Sequence, residues 1–258
     1  MQEFLAAAQE AARLGGAVLQ DWAQRFTTRE KSPANLVTEA DLASQTAIAE
    51  YLQQRFPQHH LVGEEDLQVS RGDSEFRWFI DPLDGTGNYV HGFPYYAVSI
   101  GLEVAGELAV GAIYDPTRDE MFSAASGAGA CLNGQPIHVS KTAQLSAALC
   151  MASLPPRADR DHLAVRRFLC ALSRGQSVQR SGSAALNLCS VACGRVDAFW
   201  SNSLYAWDMA AGVVIVREAG GQVTTTGSGP FNVLHADLLA TNGTALHAEV
   251  VELLHLPD

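Results

Sequence analysis

WFIDPLDGTGNY, residues 78–89, decides the reading of this chain. Trp78, Phe79 and Ile80 form a short apolar run with the character of a buried strand. Two carboxylates, Asp81 and Asp84, follow at once around Pro82. Like charges at the end of a buried strand repel one another and lose solvation. Either the stretch is a solvated turn, or a cation belongs between the two aspartates. Gly85 and Thr86 come next, and a short helix starting at Thr86 would present free N–H groups to an anion.

Outward from this stretch, the chain has 258 residues, 47% hydrophobic and 17% charged, an ordinary globular composition with enough length for a large core. The net charge of −11 argues against nonspecific nucleic-acid or anionic-membrane binding. It does not exclude a small phosphorylated substrate, because a bound metal reverses the sign of a site locally. Cys131, Cys150, Cys170, Cys189 and Cys193 are odd in number and contain no CxxC pair, which reads as reduced thiols in a cytoplasmic protein. Phe4, Leu5, Ala8, Ala12, Val18, Leu19 and Trp22 recur at helical spacing. Glu3, Glu10 and Arg13 interrupt them, so the opening stretch reads as an amphipathic helix rather than a signal peptide. No run is long enough to span a membrane.

A polar segment, Arg29 to Asn35 with Ser32-Pro33, precedes a second helix expected from about Asp41 to Phe56 and ended by Pro57. His60 to Val62 reads as a strand that turns out through Gly63-Glu64-Glu65-Asp66, and Ser70 to Glu75 as a loop. From Tyr96 to Val139, short β-rich runs are punctuated by Ala105-Gly106, Asp115-Pro116, Ser126-Gly127 and Asn133-Gly134, which predicts an antiparallel sheet. Strands and helices then alternate: a helix over Arg160 to Ser173, another opened by Gly182-Ser183, and a third over Met209 to Ala219 closed by Gly220-Gly221. The expectation is a single unit over 1–258, with an α+β half to about residue 140 and an α/β half from about 141.

Four acidic clusters stand at the ends of these elements. Taken singly, each has a bland reading. Asp41 follows Thr38 in a capping-box pattern, Glu64 and Glu65 are turn residues, and Asp208 precedes a helix that it could simply cap. Taken together, Glu64, Asp81, Asp84 and Asp208 in one pocket could not all stay ionised without cations. The all-oxygen donor set points to Mg²⁺ or Mn²⁺ rather than zinc, and Mg²⁺ is typically shared with substrate phosphate. Gly85 lets the backbone approach a phosphate closely. A water activated by metal, and oriented by Thr86 with a carboxylate, could then attack in line.

These residues resemble a known family. WFIDPLDGTGNYVHGFPYYAVSIGL, from Trp78, is similar to the first signature of the inositol monophosphatase family, and AWDMAAGVVIVREAGG, from Ala206, to its second. KSPANLVTEAD and LVGEED match two further segments, so the resemblance runs from about Lys31 to the helix after Asp208. It implies a five-layered α-β-α-β-α sandwich, commonly homodimeric, with Mg²⁺-dependent and often lithium-inhibited phosphatase activity using two or three ions. Carried over by position, Glu64, Asp81, the carbonyl of Leu83, Asp84 and Asp208 would be metal ligands. Thr86 and Asp41, with Glu64, would activate the water, and Glu65 would lie nearby. Gly85, Thr86 and Asp208 would contact phosphate or substrate, and Gly182, Ser183 and Ala184 would line the substrate side.

Two departures stand out. Relatives that cleave inositol phosphates often carry a Glu seven residues before the second-signature Asp, where it holds a substrate hydroxyl. Here that residue is Ser201, shorter and uncharged. Gly87 replaces a usual Thr or Ser outside the ligand set. Inositol 1-phosphate is therefore the first substrate expectation. Histidinol phosphate, fructose 1,6-bisphosphate and 3′-phosphoadenosine 5′-phosphate are alternatives on the same chemistry. A non-catalytic interaction protein on the same fold is the remaining reading, and retention of every expected ligand argues against it.

Overall fold

Trp78, Phe79 and Ile80 lie fully inside one strand of the protein, whose computed structural model describes residues 1–23, 25–32 and 35–255. The N-terminal elements are α1 (Gln2–Trp22), β1 (Thr28–Ser32), β2 (Asn35–Thr38), α2 (Glu39–Arg55), β3 (His60–Gly63), β4 (Gln68–Val69), β5 (Phe76–Asp84) and α3 (Thr86–Val90). The antiparallel run continues with β6 (Ala97–Val104), β7 (Glu107–Asp115), β8 (Glu120–Ala125), β9 (Ala130–Leu132) and β10 (Gln135–Pro136). Then follow β11 (Leu149–Ala152), α4 (Leu163–Arg174), β12 (Ser177–Gln179), α5 (Ala184–Ala192), β13 (Ala198–Ser201) and α6 (Ala206–Glu218). β14 (Gln222–Thr224), β15 (Leu238–Thr241) and α7 (Leu246–Leu254) complete the series.

Eight strands form one sheet in the order β10-β9-β8-β7-β6-β5-β3-β4, antiparallel except where β3 and β5 run parallel. Five strands form a second sheet in the order β12-β11-β13-β15-β14, parallel around β11 and antiparallel beyond β13. α1 and α2 cover the outer face of the larger sheet, where Ala11, Leu19, Ile48 and Leu52 bury against Trp78, Ile80 and Ile100. α5 and α6 fill the space between the sheets, with Leu188, Met209 and Val213 against Ile113, Phe122 and Phe199. α4 and α7 close the far side over Cys150 and Trp200. The result is the expected five-layered α-β-α-β-α sandwich. All five cysteines are free thiols, and no helix among the described residues is long and apolar enough to cross a membrane.

The polar segment from Arg29 runs into an antiparallel hairpin of β1 and β2, with Thr28 opposite Thr38, while Pro33 lies outside the described residues. One expectation needs correction. Asp208 does not precede its helix. α6 begins at Ala206, two residues before it, and Asp208 is the third helical residue.

α6 sits unusually close to the larger sheet. Gly101 of β6 and Gly111 of β7 are direct cross-strand partners, and both lie under Ala210 and Ala211. A Cβ on Gly101 would stand 2.7 Å from the Ala210 Cβ, and one on Gly111 would run into the Ala211 carbonyl. The bare glycines and the small residues of the helix therefore fit one another, and this seat fixes where Asp208 stands. Gly111→Ala is expected to destabilise the fold by about 1–3 kcal/mol through overpacking. A lowered urea midpoint would register that loss, and an unchanged midpoint would show that the helix can shift at no cost.

Candidate active site

In a regular strand, residues three apart point to opposite faces. Asp81 and Asp84 avoid that because β5 is bulged between them: Asp81 pairs with Ser99 and Asp84 with Ala97, so three steps on β5 match two on β6. The extra residue brings both carboxylates to one side. Pro82, which has no N–H to give a ladder, sits inside the bulge where none is required. Gly85, with φ of 95°, then turns the chain into α3.

Each aspartate is held by uncharged donors. The Leu83 N–H donates to Asp81 Oδ1 at 3.0 Å. The Ser183 hydroxyl and the Ala185 N–H donate to Asp84 Oδ2 at 2.6 and 2.7 Å. The Tyr205 N–H donates to Asp208 Oδ2 at 2.8 Å. Asp81 is 1% exposed. Burial pushes its carboxyl well above the ordinary carboxylate range, and the charges of Glu64, Asp84 and Asp208 push it further. Burial and the charge of Asp84 do the same to Asp208, against the pull of the Tyr205 N–H. Asp84 is raised by burial, partly offset by Ser183 and the α5 amides. The structure thus brings Glu64, Asp81, Asp84 and Asp208 within electrostatic reach of one another.

Among the described residues, no Lys, Arg or His forms an ion pair with Asp81, Asp84 or Asp208. Nor do three His, Cys, Asp or Glu side chains among them close into a ready-made ion cage. The chemistry of the donor set nonetheless fits a hard divalent cation: its donors are all oxygen, and burial raises the carboxyls of Asp81, Asp84 and Asp208.

Asp41 performs two tasks. Its Oδ2 accepts from the Thr38 N–H at 2.8 Å and the Thr38 hydroxyl at 2.6 Å, while Thr38 Oγ1 accepts from the Ala40 N–H, so the capping box is real. Its Oδ1 lies 3.1 Å from Thr86 Oγ1, which is also 3.1 Å from the Leu83 carbonyl. One carboxylate thus both caps α2 and meets Thr86. Glu65 follows Glu64 in the turn after β3, and its backbone is tied to α2.

On the other side of Asp84, a cavity of about 160 Å³ is lined by Asp84, Gly182, Ala184, Ser153, Arg180 and Ser203, among others. Ser183 is fully buried, with its hydroxyl turned to Asp84, so it supports that carboxylate rather than forming the wall. Ser201 is 1% exposed and does not line the cavity either; its Oγ accepts from the Ser203 N–H at 3.2 Å. Ser203, two residues further on, does line it. Larger cavities of about 590 and 530 Å³ border β3–β4 and the β6–β7 turn, and contain none of the four acids. Gly87 is exposed, with open space where a Cβ would be. Asn88 was also missed. Its Nδ2 donates to the Tyr95 carbonyl at 2.7 Å and to the Ser181 carbonyl at 2.9 Å, joining α3 to the segment that leads into α5.

Residues 1–256 match the model of the inositol monophosphatase family. An inositol-1-monophosphatase from Synechocystis sp. is 42% identical, over 98% of this chain and 89% of its own. A fructose-1,6-bisphosphatase/inositol-1-monophosphatase from Aquifex aeolicus is 38% identical, over 98% of this chain and 96% of its own. The solved structure of inositol monophosphatase from Anabaena (Nostoc) sp. superposes with a TM-score of 0.89 at 41% identity, covering 99% of this chain and 97% of the other. On sequence and fold alike, the chain belongs to the inositol monophosphatase family of metal-dependent phosphatases, which hydrolyse phosphomonoesters of small molecules.

Proposed function

We propose that this chain is a Mg²⁺-dependent phosphomonoesterase that releases phosphate from a small polyol phosphate, with inositol 1-phosphate as its first substrate. The observation that carries the reading is the cluster of Glu64, Asp81, Asp84 and Asp208, in which burial and neighbouring carboxylate charges push up Asp81 and Asp208, beside the contact between Asp41 and Thr86. Glu64, Asp81, the Leu83 carbonyl, Asp84 and Asp208 would hold the ions. When bound, divalent cations polarise phosphoryl oxygens and make water more acidic. The Thr86 hydroxyl has one hydrogen, to give to Asp41 Oδ1 or to the Leu83 carbonyl, and lone pairs with which to orient an attacking water. Asp41 would take up the proton through that hydroxyl, a role its 3.1 Å contact with Thr86 supports. The N–H groups of Gly85 and Thr86, at the start of α3, would contact phosphate, and Gly182 and Ala184 would face the leaving group.

A second reading keeps the chemistry and changes the substrate. Arg180 lines the cavity and forms no ion pair among the described residues. A cation there suits a substrate with a second anionic group, such as fructose 1,6-bisphosphate. The Aquifex relative, whose name carries both activities, is consistent with this. By family resemblance, we also read the enzyme as homodimeric and lithium-inhibited. The free thiols are compatible with a reducing cytoplasm.

Phosphate release with Mg²⁺ should be measured on inositol 1-phosphate, histidinol phosphate, fructose 1,6-bisphosphate and 3′-phosphoadenosine 5′-phosphate. Highest kcat/KM on inositol 1-phosphate supports the first reading, preference for the bisphosphate supports the second, and no Mg²⁺-dependent turnover on any ester removes both. Asp84→Asn keeps an oxygen for Ser183 and Ala185, so the fold should survive while turnover and calorimetric Mg²⁺ binding are lost. Unchanged Mg²⁺ binding would remove Asp84 from the ligand set. Because the folded pKa of Asp84 is raised, its charge opposes folding above the ordinary carboxylate value of 3.8, and that cost fades as pH falls. Metal-free Asp84→Asn should therefore melt higher than metal-free wild type at pH 7, with the gap narrowing on acidification. Thr86→Ala should lower turnover by about 10²-fold, the low end for a residue that assists proton transfer, and leave metal affinity intact. Wild-type turnover in that variant would take Thr86 out of the mechanism.

A further inference from the structure

Asp41, Ser44 and Gln45 fall at spacings of three and four on α2, and so share one face of the helix. All three are polar and buried, at 0, 0 and 7% exposure. Asp41 meets Thr86, as described. The Ser44 hydroxyl donates to the Pro82 carbonyl, inside the β5 bulge, at 3.1 Å. Gln45 makes two bonds to a single residue: its Nε2 donates to the Glu65 carbonyl at 2.8 Å, and its Oε1 accepts from the Glu65 N–H at 3.1 Å.

The Glu65 N–H belongs to the peptide that follows Glu64. The peptide that precedes Glu64 is held too, since the Glu64 N–H donates to the Ile80 carbonyl of β5 at 3.2 Å. Both peptide planes flanking the Glu64 Cα are thus fixed, one by the strand that carries Asp81 and the other by Gln45. An independent observation points the same way. Gly63 presents no side chain where Gln45 passes, and a Cβ there would stand 2.6 Å from Gln45 Oε1. A glutamine retained merely to fill space would need neither the paired amide nor a cleared approach.

We propose that Gln45 is a positioning residue for the metal site, acting through the backbone of Glu65 to set the direction of the Glu64 carboxylate. This rests on the reading of Glu64 as a metal ligand. Groups that orient ligands in this way typically affect metal affinity or activity about 10- to 100-fold. Gln45→Met preserves length and volume while removing both hydrogen bonds. Gln45→Glu retains the acceptor for the Glu65 N–H and loses the donor to its carbonyl.

The test is calorimetric titration of Mg²⁺ into the metal-free full chain, for wild type, Gln45→Met, Gln45→Glu and Glu64→Gln. Mg²⁺ affinity is expected to fall about tenfold in Gln45→Met and by a smaller factor in Gln45→Glu. The Mg²⁺ concentration for half-maximal activity should rise in parallel, with KM for inositol 1-phosphate at saturating Mg²⁺ unchanged. That split separates positioning of the ligand from a general loosening of the fold. Wild-type Mg²⁺ affinity in Gln45→Met, beside weakened affinity in Glu64→Gln, overturns the positioning role and leaves the ligand reading standing. Wild-type affinity in Glu64→Gln overturns both. If Gln45→Met does not fold, Gln45→Glu decides, and wild-type affinity there overturns the inference.

Discussion

Repulsion among carboxylates at the buried end of β5 is the constraint on which the rest of the structure depends. Burial and then the charges of Glu64, Asp84 and Asp208 push the Asp81 carboxyl up, and burial and the charges of Asp84 and Glu64 do the same to Asp208. The three aspartates are held by neutral donors: the Leu83, Ala185 and Tyr205 N–H groups and the Ser183 hydroxyl. Such donors fix direction without cancelling charge. The three aspartates form no ion pair among the described residues, so their charge is oriented rather than neutralised.

Holding four like charges together takes rigid supports from several layers. The bulge in β5 turns Asp81 and Asp84 to one side. α6 brings Asp208 from the layer between the sheets. α5 sends Ser183 and its first amides toward Asp84. α2 braces the cluster from the outer layer through the bulge carbonyl and the Thr86 contact. The acids are distant in sequence, and the five-layered sandwich is what makes them neighbours.

Much of this was legible in the sequence because some features are local. Two aspartates after an apolar run cannot be explained by a simple buried strand, and the Thr38–Asp41 capping box needs only four consecutive residues. What escaped notice depends on partners elsewhere. The bulge is defined by the register against β6, which WFIDPLDGT alone does not contain. β1 of the hairpin is wholly polar, and β2 offers only the adjacent pair Leu36-Val37 without alternation, so it left no strand signal. α6 starts at Ala206 after Tyr205, with no Ser, Thr, Asn or Asp as cap, so its boundary was placed too late. Ser44 and Gln45 bond to backbone 38 and 20 residues away, and a serine or glutamine in a helix announces nothing of the kind. Ser201 ends β13 and is buried, whereas Ser203 lies in the bend beyond it and borders the cavity.

The paired glycines beneath α6 bear on how this sequence can drift. Gly101 and Gly111 touch neither substrate nor ion in any role assigned above, yet a methyl group on either would press on the helix that carries Asp208. A survey of inactive variants would therefore score both positions as though they were chemical, although their role is clearance. Variation should be absorbed instead at places such as Gly87, which lies inside the signature stretch but opens onto empty space. Tolerance in this protein follows the room available around the backbone more closely than distance from the acids.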